Sequence, residues 1–197
     1  MPTATPEELD ALYARDPDPW NFRTSRAEHA KYDHTLACLP RARYRHALEI
    51  GCSIGVLGQR LAARADRYLG IDASARALAL TAAGAAANMR FARMMVPASL
   101  PRGAFDLIIV SEVLYFLGPQ DVVRLAGHLG GAPEADIVSV NTLQPTSREL
   151  SGAAAAALFA AALGRPATRR EAAPLYLIEV FGAGAARRDR RGAQADR

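Results

Sequence analysis

A short glycine-containing turn is the first place in this sequence where residue types and spacing could support chemistry. The run Glu49-Ile50-Gly51-Cys52-Ser53-Ile54-Gly55 follows an apolar segment and precedes a helical pattern. Glycine lets the chain bend sharply and lets a ligand approach backbone N–H groups at the start of the next helix. Asp72 follows Gly51 by 21 residues, at the end of the next predicted strand. A carboxylate there can accept hydrogen bonds from both hydroxyls of a ribose, so the pattern predicts an adenosine-bearing cofactor.

The acidic residue before the turn narrows the choice of cofactor. A dinucleotide site usually reads G-x-G-x-x-G, whereas this turn is more compact and begins at Glu49. A carboxylate repels a pyrophosphate but attracts an ammonium group, directly or through water. S-adenosylmethionine has an amino-acid end and an adenosine but no phosphate, and it fits these residues. A short-chain dehydrogenase would need a Tyr-x-x-x-Lys pair. The only lysine is Lys31, and the residue four positions before it is Ala27 rather than a tyrosine, so this class of enzyme is excluded.

Alternating strand and helix patterns position the turn. The apolar runs at residues 107–110 and 137–140 are hydrophobic on both faces, as buried parallel strands require. Strands that alternate with helices of this length form βαβ units. We therefore predict an α/β fold with a Rossmann-like, doubly wound, mostly parallel sheet. A last strand at residues 175–181 is expected to pair antiparallel with a weak strand near residues 168–172, at the edge of the sheet.

The two ends of the chain differ from the middle. Thr5-Pro6-Glu7-Glu8 and Ser25-Arg26-Ala27-Glu28 are capping boxes, which open two helices before the first strand. Residues 182–197 contain five arginines and two aspartates, so the end of the chain carries +3 of the formal charge of +4. We predict an N-terminal helical lid at residues 1–40, a cofactor-binding domain at residues 41–181 and a disordered basic tail at residues 182–197.

Composition excludes several classes of function. The charge outside the tail is close to zero, so no nucleic-acid partner is expected. No apolar run reaches the roughly 18 residues that cross a bilayer, and no membrane partner is expected. Two cysteines are too few for a disulfide framework, which favours a reducing, cytoplasmic location. The four histidines lack metal-ligand spacing, so no metal site is predicted.

Three ordered segments resemble the motifs of class I S-adenosylmethionine-dependent methyltransferases. They are the glycine turn described above, Gly70-Ile71-Asp72 and Phe105-Asp106-Leu107-Ile108-Ile109-Val110-Ser111-Glu112-Val113-Leu114-Tyr115. The leader resembles the nodulation protein S (NodS) branch more specifically, through Asp18-Pro19-Trp20-Asn21-Phe22 with Ser25, Glu28, Lys31, Tyr32 and Thr35-Leu36. The resemblance covers roughly residues 16–142. It implies S-adenosylmethionine as cofactor and, in nodulation protein S itself, N-methylation of a free amine on a partly deacetylated chitooligosaccharide.

The predicted cofactor site combines the turn, the strand ends and the leader. Two positions depart from the family pattern: Ser53 replaces a common middle glycine, and Met95 stands where family members often carry an acid that holds the adenine amine. Backbone groups or Ser99 could replace the latter contact. The predicted cofactor-binding residues are Trp20, Arg23, Tyr32, Glu49, Gly51, Cys52, Ser53, Gly55, Asp72, Ala73, Met95 and Ser111.

Two residues that follow the predicted strand at residues 105–111 are the catalytic candidates. Glu112 and Tyr115 follow that strand at the same sheet edge as the cofactor, and we expect them to position the substrate or accept its proton. Asp106 begins the strand, at the opposite edge, and is expected to be structural. Cys52 lacks a nearby base and is expected to be a small packing residue rather than a nucleophile.

The leader is expected to close over the cofactor. The aromatic rings of Trp20, Phe22 and Tyr32 can exclude water and face a sulfonium, while Arg23 or Lys31 can pair with a methionine carboxylate. The acceptor is expected to be a small molecule or an oligosaccharide, with the oligomeric state left open. Two alternatives remain at this point: a methyltransferase for another small metabolite, and a non-catalytic cofactor-binding or interaction protein.

Overall fold

The computed structural model describes residues 2–81 and 84–184, which form a seven-stranded sheet flanked by helices. The strands are β1 (Tyr44–Ile50), β2 (Ala65–Asp72), β3 (Met89–Arg93), β4 (Leu107–Ser111), β5 (Asp136–Thr142), β6 (Arg169–Ala172) and β7 (Tyr176–Phe181). The helices are α1 (Pro6–Arg15), α2 (Arg26–Cys38), α3 (Val56–Ala62), α4 (Ala75–Thr81), α5 (Pro119–Gly130) and α6 (Gly152–Leu163), with a single 3-10 turn at Leu114–Phe116.

The strand order confirms the predicted fold class. It runs β3-β2-β1-β4-β5-β7-β6, with parallel pairing from β3 to β5 and antiparallel pairing of β7 with both β5 and β6. The chain moves outward from β1 to β3 and then returns to the other side of β1 at β4. This reversal creates a crevice at the carboxyl ends of β1 and β4, which is where ligands bind in open α/β sheets.

Two hydrophobic cores cover the two faces of the sheet. Neighbouring residues of β4 alternate between them, because successive side chains of a strand point to opposite faces. Ile108 and Val110 pack with α5 and α6, whereas Leu107 and Ile109 pack with α2 and α3. All five residues of β4 are buried, which explains the continuous apolar run in the sequence.

Local signals set most helix boundaries. Both halves of the capping box at Thr5 and Glu8 are formed at the start of α1. Ser25 caps α2 through the Glu28 amide. The alanine-rich helix α6 begins at Gly152, because Ser151 is its N-cap and accepts a hydrogen bond from the Ala154 amide.

One prediction concerns the C-terminal end of the chain. The basic tail prediction falls largely on residues 185–197, which lie outside the described residues.

Asp106 has the structural role expected for it. It lies just before β4, at the edge of the sheet opposite the crevice, where its carboxylate accepts hydrogen bonds from the Arg45 and His46 amides. Among the described residues, no helix combines the length and the hydropathy needed to cross a bilayer.

Candidate active site

A cavity of about 680 Å³ lies over the carboxyl ends of the parallel strands. This volume is within the range of small-molecule and cofactor sites. Its floor contains the residues at and after the ends of β1, β2, β3, β4 and β5, and its roof comes from the N-terminal segment. Asp72 and Glu112 lie on opposite sides of β1, so two strand spacings of roughly 5 Å each separate their backbones.

Asp72 dominates the β2 side of the cavity. Its Oδ2 atom accepts a hydrogen bond from the Ser53 amide (2.9 Å), and its Oδ1 atom accepts one from the Ser74 amide (2.9 Å). Burial raises the pKa of this carboxyl, and the Ser74 and Ser53 amides oppose that shift. A carboxylate has about four lone-pair sites, so each oxygen keeps acceptor capacity for another donor. Two hydroxyls of one ligand fit this arrangement.

The glycine turn brings its backbone close to β4. Gly51 has φ +82°, and a Cβ atom there would overlap the Val113 side chain and lie 2.8 Å from the Ser111 carbonyl oxygen. Ser53 also has a positive φ, of 48°, which is uncommon outside glycine. The turn therefore requires a glycine at position 51 to reach the adjoining strand. Ser53 fills the place of the missing middle glycine at the cost of an unfavourable backbone conformation.

Glu49 lies beneath the turn rather than in the cavity. Side chains alternate along β1, and Glu49 points to the face covered by α3, where it is only 2% exposed. The Tyr68 hydroxyl donates a hydrogen bond to its Oε2 atom (2.5 Å), and both groups pack against Gly58. Burial raises the pKa of Glu49 to about 8. Glu49 therefore lies outside the cavity lining.

Glu112 dominates the β4 side of the cavity. It follows β4 in the left-handed region, with φ 56°, an unfavourable conformation for a residue with a Cβ atom. Its Oε1 atom lies 2.6 Å from the Lys31 Nζ atom, and its Oε2 atom accepts a hydrogen bond from the Thr142 amide (2.9 Å). Lys31 also lies 2.9 Å from Glu28. Two carboxylates and one ammonium therefore meet at this end of the cavity.

Tyr115 stands beside Glu112 in the 3-10 turn and lines the same cavity. Burial raises the pKa of Tyr115, and the negative charge of Glu112, together with a hydrogen bond to it, acts in the same direction. The phenol thus stays protonated at neutral pH and serves as a donor. The two catalytic candidates predicted from the sequence are brought together, at one end of the cavity.

Aromatic side chains form the roof. Trp20 stacks on Phe22 with a centroid distance of 5.4 Å and meets the edges of Tyr13 and Phe116 at 5.8 and 6.4 Å. The Tyr13 hydroxyl lies 2.5 Å from the Ser53 Oγ atom, so α1 is bonded directly to the glycine turn. All four aromatic residues line the cavity. The N-terminal segment is therefore part of the site.

Most of the residues predicted from the sequence line the cavity. Those that do are Trp20, Gly51, Ser53, Asp72, Ala73, Met95, Ser111, Glu112 and Tyr115. The structure places the other five elsewhere. They are Arg23, Tyr32, Glu49, Cys52 and Gly55.

Local contacts explain why each of these five residues lies outside the cavity lining. Arg23 is exposed in a separate shallow depression, because its amide and that of Phe22 bond to Asp18 and turn the chain away. Tyr32 is 5% exposed and packs in the core against α3, where the Arg60 guanidinium covers its ring. It is therefore a core residue and not part of the roof.

The remaining two residues belong to the underside of the turn. Cys52 is buried, and its sulfur packs against Gly70 of β2, which agrees with the packing role expected for it. Burial raises the pKa of this thiol. Gly55 is the N-cap of α3, with φ 81°, and faces Thr81 and Phe91 instead of the cavity. Both support the turn and lie outside the cavity lining.

Sequence reasoning missed the contribution of the chain after β5. Thr142 and the segment from Gln144 to Arg148 line the cavity, and the Arg148 guanidinium lies 4.8 Å from the centre of the Phe116 ring. No periodic pattern or glycine motif marks this loop. Its proximity to the carboxyl end of β5 was the only available signal, because loops at that end of the sheet border the crevice.

Residues 5–148 match the profile of the family described as Nodulation protein S (NodS), which is 144 of the 197 residues. The chain belongs to the NodS family. Nodulation protein S of Sinorhizobium fredii (strain NBRC 101917 / NGR234) is 31% identical over 114 residues, which are 56% of this chain and 53% of that relative. The chain spans about half the length of the curated relatives of the NodS family that it matches.

Solved structures share the fold of this family member. A protein of Pseudomonas syringae with a provisional methyltransferase assignment is 30% identical, with a TM-score of 0.69, covering 79% of this chain and 97% of that one. The N-methyltransferase NodS of Bradyrhizobium japonicum WM9, in complex with S-adenosylhomocysteine, is 18% identical, with a TM-score of 0.75, covering 90% and 98%. The second likeness establishes the fold alone.

Proposed function

We propose that this chain is an S-adenosylmethionine-dependent methyltransferase that methylates an amine of a small or sugar-derived acceptor. Membership of the NodS family supports methyl transfer, as does the likeness to a structure assigned to methyltransferases. The observation that carries the cofactor assignment is the Asp72 carboxylate at the end of β2, with both oxygens held by backbone amides and both still able to accept. This carboxylate ends β2, the strand beside β1, and so lies next to the crevice where ligands bind in open α/β sheets.

The described residues fit the three parts of this cofactor. Asp72 would accept the ribose hydroxyls, and the apolar side chains of Met94, Met95 and Val96 would enclose the adenine. The methionyl end would cross the glycine turn towards β4. Ser99 is bonded to the backbone of Met95, so it holds that loop. An apolar adenine site at β3 thus replaces the acidic contact that is common in the family.

The aromatic roof fits a sulfonium. A cation over the face of an aromatic ring is attracted by the electron density of the ring, most strongly by tryptophan. Trp20, Phe22 and Tyr13 provide such rings on the side of the cavity that faces the glycine turn. We infer that α1 and the 16–24 connection act as a lid over the cofactor and exclude water from it.

The charges at the β4 end favour an amine acceptor. Glu28, Lys31 and Glu112 together carry one net negative charge in a largely buried setting. An acceptor that is or becomes cationic is stabilised there, whereas a carboxylate or phosphate acceptor is repelled. Arg148 also lines the cavity, but its guanidinium lies over the Phe116 ring. This imbalance supports N-methylation over methylation of an anionic group.

The reaction requires alignment more than acid–base chemistry. When bound, the cofactor supplies a methyl group already activated on a sulfonium. Glu112 would accept a hydrogen bond from the acceptor nitrogen and direct its lone pair towards the methyl carbon. The Glu112 carboxylate would stabilise the positive charge that develops on the acceptor nitrogen as it takes up the methyl group. The surplus proton then leaves through Glu112 to solvent.

Two measurements test this proposal. Purified protein and methyl-labelled S-adenosylmethionine are incubated with chitosan oligosaccharides, with their fully N-acetylated counterparts, and with simple amines. We expect label transfer to free amines and none to the acetylated forms. Cofactor consumption with hydroxyl acceptors alone would contradict N-methylation. Tight cofactor binding without turnover on every acceptor would favour a non-catalytic binding protein instead.

The cofactor site is tested separately by calorimetry with S-adenosylhomocysteine. Asp72→Asn replaces one acceptor oxygen with a donor that opposes a backbone amide, and we expect at least tenfold weaker binding, since hydrogen bonds to charged groups contribute about 1.5–3 kcal/mol. Asp66→Asn is the matched control, because Asp66 lies on the same strand but is exposed and paired with Arg43. Equal affinities for the two variants would remove Asp72 from the site.

A further inference from the structure

Lys31 is the only lysine of the chain, and it is buried at the active site. It lies on α2, yet its side chain, 8% exposed, reaches the cavity and meets Glu28 at 2.9 Å and Glu112 at 2.6 Å. Lysine side chains are seldom buried unless their charge is paired. A buried ammonium between two carboxylates requires a specific reason for its position.

The two carboxylates keep this ammonium charged. Burial by itself would lower the pKa of Lys31, but the charges and hydrogen bonds of Glu112 and Glu28 outweigh burial and raise it. Without the ammonium, Glu28 and Glu112 would face each other as like charges in a water-poor site. Lys31 therefore separates the two acids and is held by both.

The surroundings of Glu112 show what this contact fixes. The Thr142 amide holds Oε2, Lys31 holds Oε1, and the backbone at Glu112 is in a left-handed conformation that is unfavourable by itself. Two elements that pack here each contribute one constraint: α2 supplies the Lys31 ammonium, and β5 supplies the Thr142 amide. A conformation of this kind persists only where several contacts enforce it.

We propose that Lys31 is a positioning residue, which holds the Glu112 carboxylate facing the cavity so that it can receive the acceptor nitrogen. The ion-pair arrangement stands on its own geometry, whereas its effect on turnover rests on the methyl-transfer function proposed above. This role replaces the pairing with a methionine carboxylate that the sequence suggested for Lys31. The other titratable groups facing the cluster are Tyr32 from α2, Tyr115 from the 3-10 turn and Tyr176 from β7.

A single lysine makes the arrangement directly observable. Growth on lysine labelled with ¹³C at Cε gives one side-chain resonance, whose chemical shift reports the charge of Lys31 without any acceptor. We expect the wild-type resonance to titrate above the usual lysine range, and the Glu112→Gln variant to titrate at lower pH. Glu7→Gln, an exposed acid of α1, is the control and leaves the titration unchanged. A wild-type titration in the ordinary range would overturn the proposal, even if the Glu112 variant does not fold.

Kinetics test the positioning role. Lys31→Met is expected to lower kcat for a free-amine chitosan oligosaccharide roughly 10–100-fold, the range for a misplaced reacting group. The affinity for S-adenosylhomocysteine is expected to change less than about threefold, because Lys31 lies at the β4 end of the cavity. Lys31→Arg restores most of the activity, and Arg26→Met, which removes an exposed cation of the same helix, has no effect.

The possible outcomes separate the two proposals. Full kcat in Lys31→Met, or a loss of cofactor affinity equal to the loss of kcat, would overturn the positioning role and leave the methyltransferase assignment intact. Absence of turnover in the wild-type protein on every acceptor would count against the proposed function, and the lysine resonance would still decide whether Lys31 is fixed by Glu112.

Discussion

Gly51 shows how one residue joins the cofactor turn to its neighbouring strand. Gly51→Ala places a Cβ atom against the Val113 side chain and the Ser111 carbonyl oxygen, in a left-handed backbone conformation. Overpacking and the backbone conformation each cost about 1–2 kcal/mol, so we expect about 3 kcal/mol less stability. Urea denaturation measures the free energy of unfolding, and S-adenosylhomocysteine binding is expected to be lost in parallel.

Gly164 separates the two causes of this effect. It ends α6 with φ +75°, close to that of Gly51, but nothing lies within 4 Å of a Cβ atom added there. Gly164→Ala should therefore lose only the backbone contribution of about 1–2 kcal/mol and keep cofactor affinity. Similar losses for the two variants would mean that steric conflict with β4 is not what requires Gly51.

The raised pKa of Glu49 leads to a prediction of how the free energy of unfolding changes with pH. Its pKa is raised from about 4.5 to about 8 by burial, so the folded state holds a proton that the unfolded state has released between these values. The stability contributed by this group is complete below pH 4.5 and is lost as the pH rises towards 8, by about 1 kcal/mol per unit. Glu49→Gln keeps the acceptor for Tyr68 and cannot titrate.

The measurement is a comparison of two curves. Unfolding free energies at pH 5, 6, 7 and 8 should fall more steeply in the wild-type protein than in Glu49→Gln. Parallel curves would show that Glu49 does not carry its proton in the folded state. The comparison cancels the contribution of other buried acids, such as Asp72, because both proteins contain them.

Residue types were predicted better from the sequence than residue directions. Asp72 and Glu112 follow strands at the crevice, and both line the cavity as expected. Glu49 has the same chemistry and lies one strand away from each, but the alternation of β1 points it beneath α3. A shift of one residue in strand register exchanges the two outcomes, and sequence spacing alone does not fix that register.

At the scale of elements, α1 is bonded to the residues that hold Asp72. The Tyr13 hydroxyl lies 2.5 Å from the Ser53 Oγ atom, and Asp10 accepts a hydrogen bond from the Ser74 hydroxyl (2.6 Å). Ser53 and Ser74 are the same two residues whose amides bond to Asp72. The helix that roofs the cavity therefore also steadies its carboxylate, through two serine side chains.

This coupling predicts a distant effect on cofactor binding. Asp10→Ala removes the acceptor for the Ser74 hydroxyl and for the Arg76 amide (3.1 Å) without touching the cavity lining. Hydrogen bonds of this kind contribute about 1 kcal/mol each, so we expect several-fold weaker S-adenosylhomocysteine binding. Glu7→Ala, an exposed acid of the same helix, should bind normally. Unchanged affinity in Asp10→Ala would mean that α1 covers the site without steadying it.

The order of elements was more predictable than their connections. Capping boxes, apolar runs and breakers identified the helices and strands, because these signals are local. The antiparallel pair β6 and β7 was also expected, and it forms as predicted. The loop after β5 carries no such signal, yet it supplies the segment from Gln144 to Arg148 to the cavity. Its position depends on the closure of the whole sheet, which no short segment encodes.

At the scale of the molecule, a small third core joins the N-terminal segment to the sheet. Tyr13 of α1, Ile54 of the glycine turn and Ala77 of α4 pack together, apart from the two cores that cover the faces of the sheet. This cluster is far smaller than the other two, so its contribution from buried apolar area is correspondingly small. We therefore infer that α1 opens from the sheet at a lower free energy than the sheet unfolds.

Cofactor binding should reduce the difference between the free energy of opening α1 and the free energy of unfolding the sheet. A ligand that binds only the folded state stabilises it by RT ln(1 + [L]/Kd), about 2.7 kcal/mol at 100 times Kd. If the proposed lid contacts the cofactor through Trp20, the same ligand also stabilises the closed arrangement of α1. Hydrogen exchange followed by mass spectrometry should then show amides of α1 gaining protection with S-adenosylhomocysteine, while β6, at the far edge of the sheet, changes little.

A Trp20 variant distinguishes two causes of the protection of α1: closure of the lid and stabilisation of the whole fold. Trp20→Ala removes the ring that contacts Tyr13, Phe22 and Phe116, and should weaken S-adenosylhomocysteine binding about tenfold, mainly through faster dissociation. At ligand concentrations matched to the Kd of the variant, the global stabilisation is unchanged but the additional protection of α1 is lost. Val123→Ala is the control, because Val123 is also an exposed apolar residue but lies on α5. This variant retains both the global stabilisation and the protection of α1. Equal protection of α1 in the wild-type protein and in Trp20→Ala would show that the cofactor stabilises the fold without closing a lid.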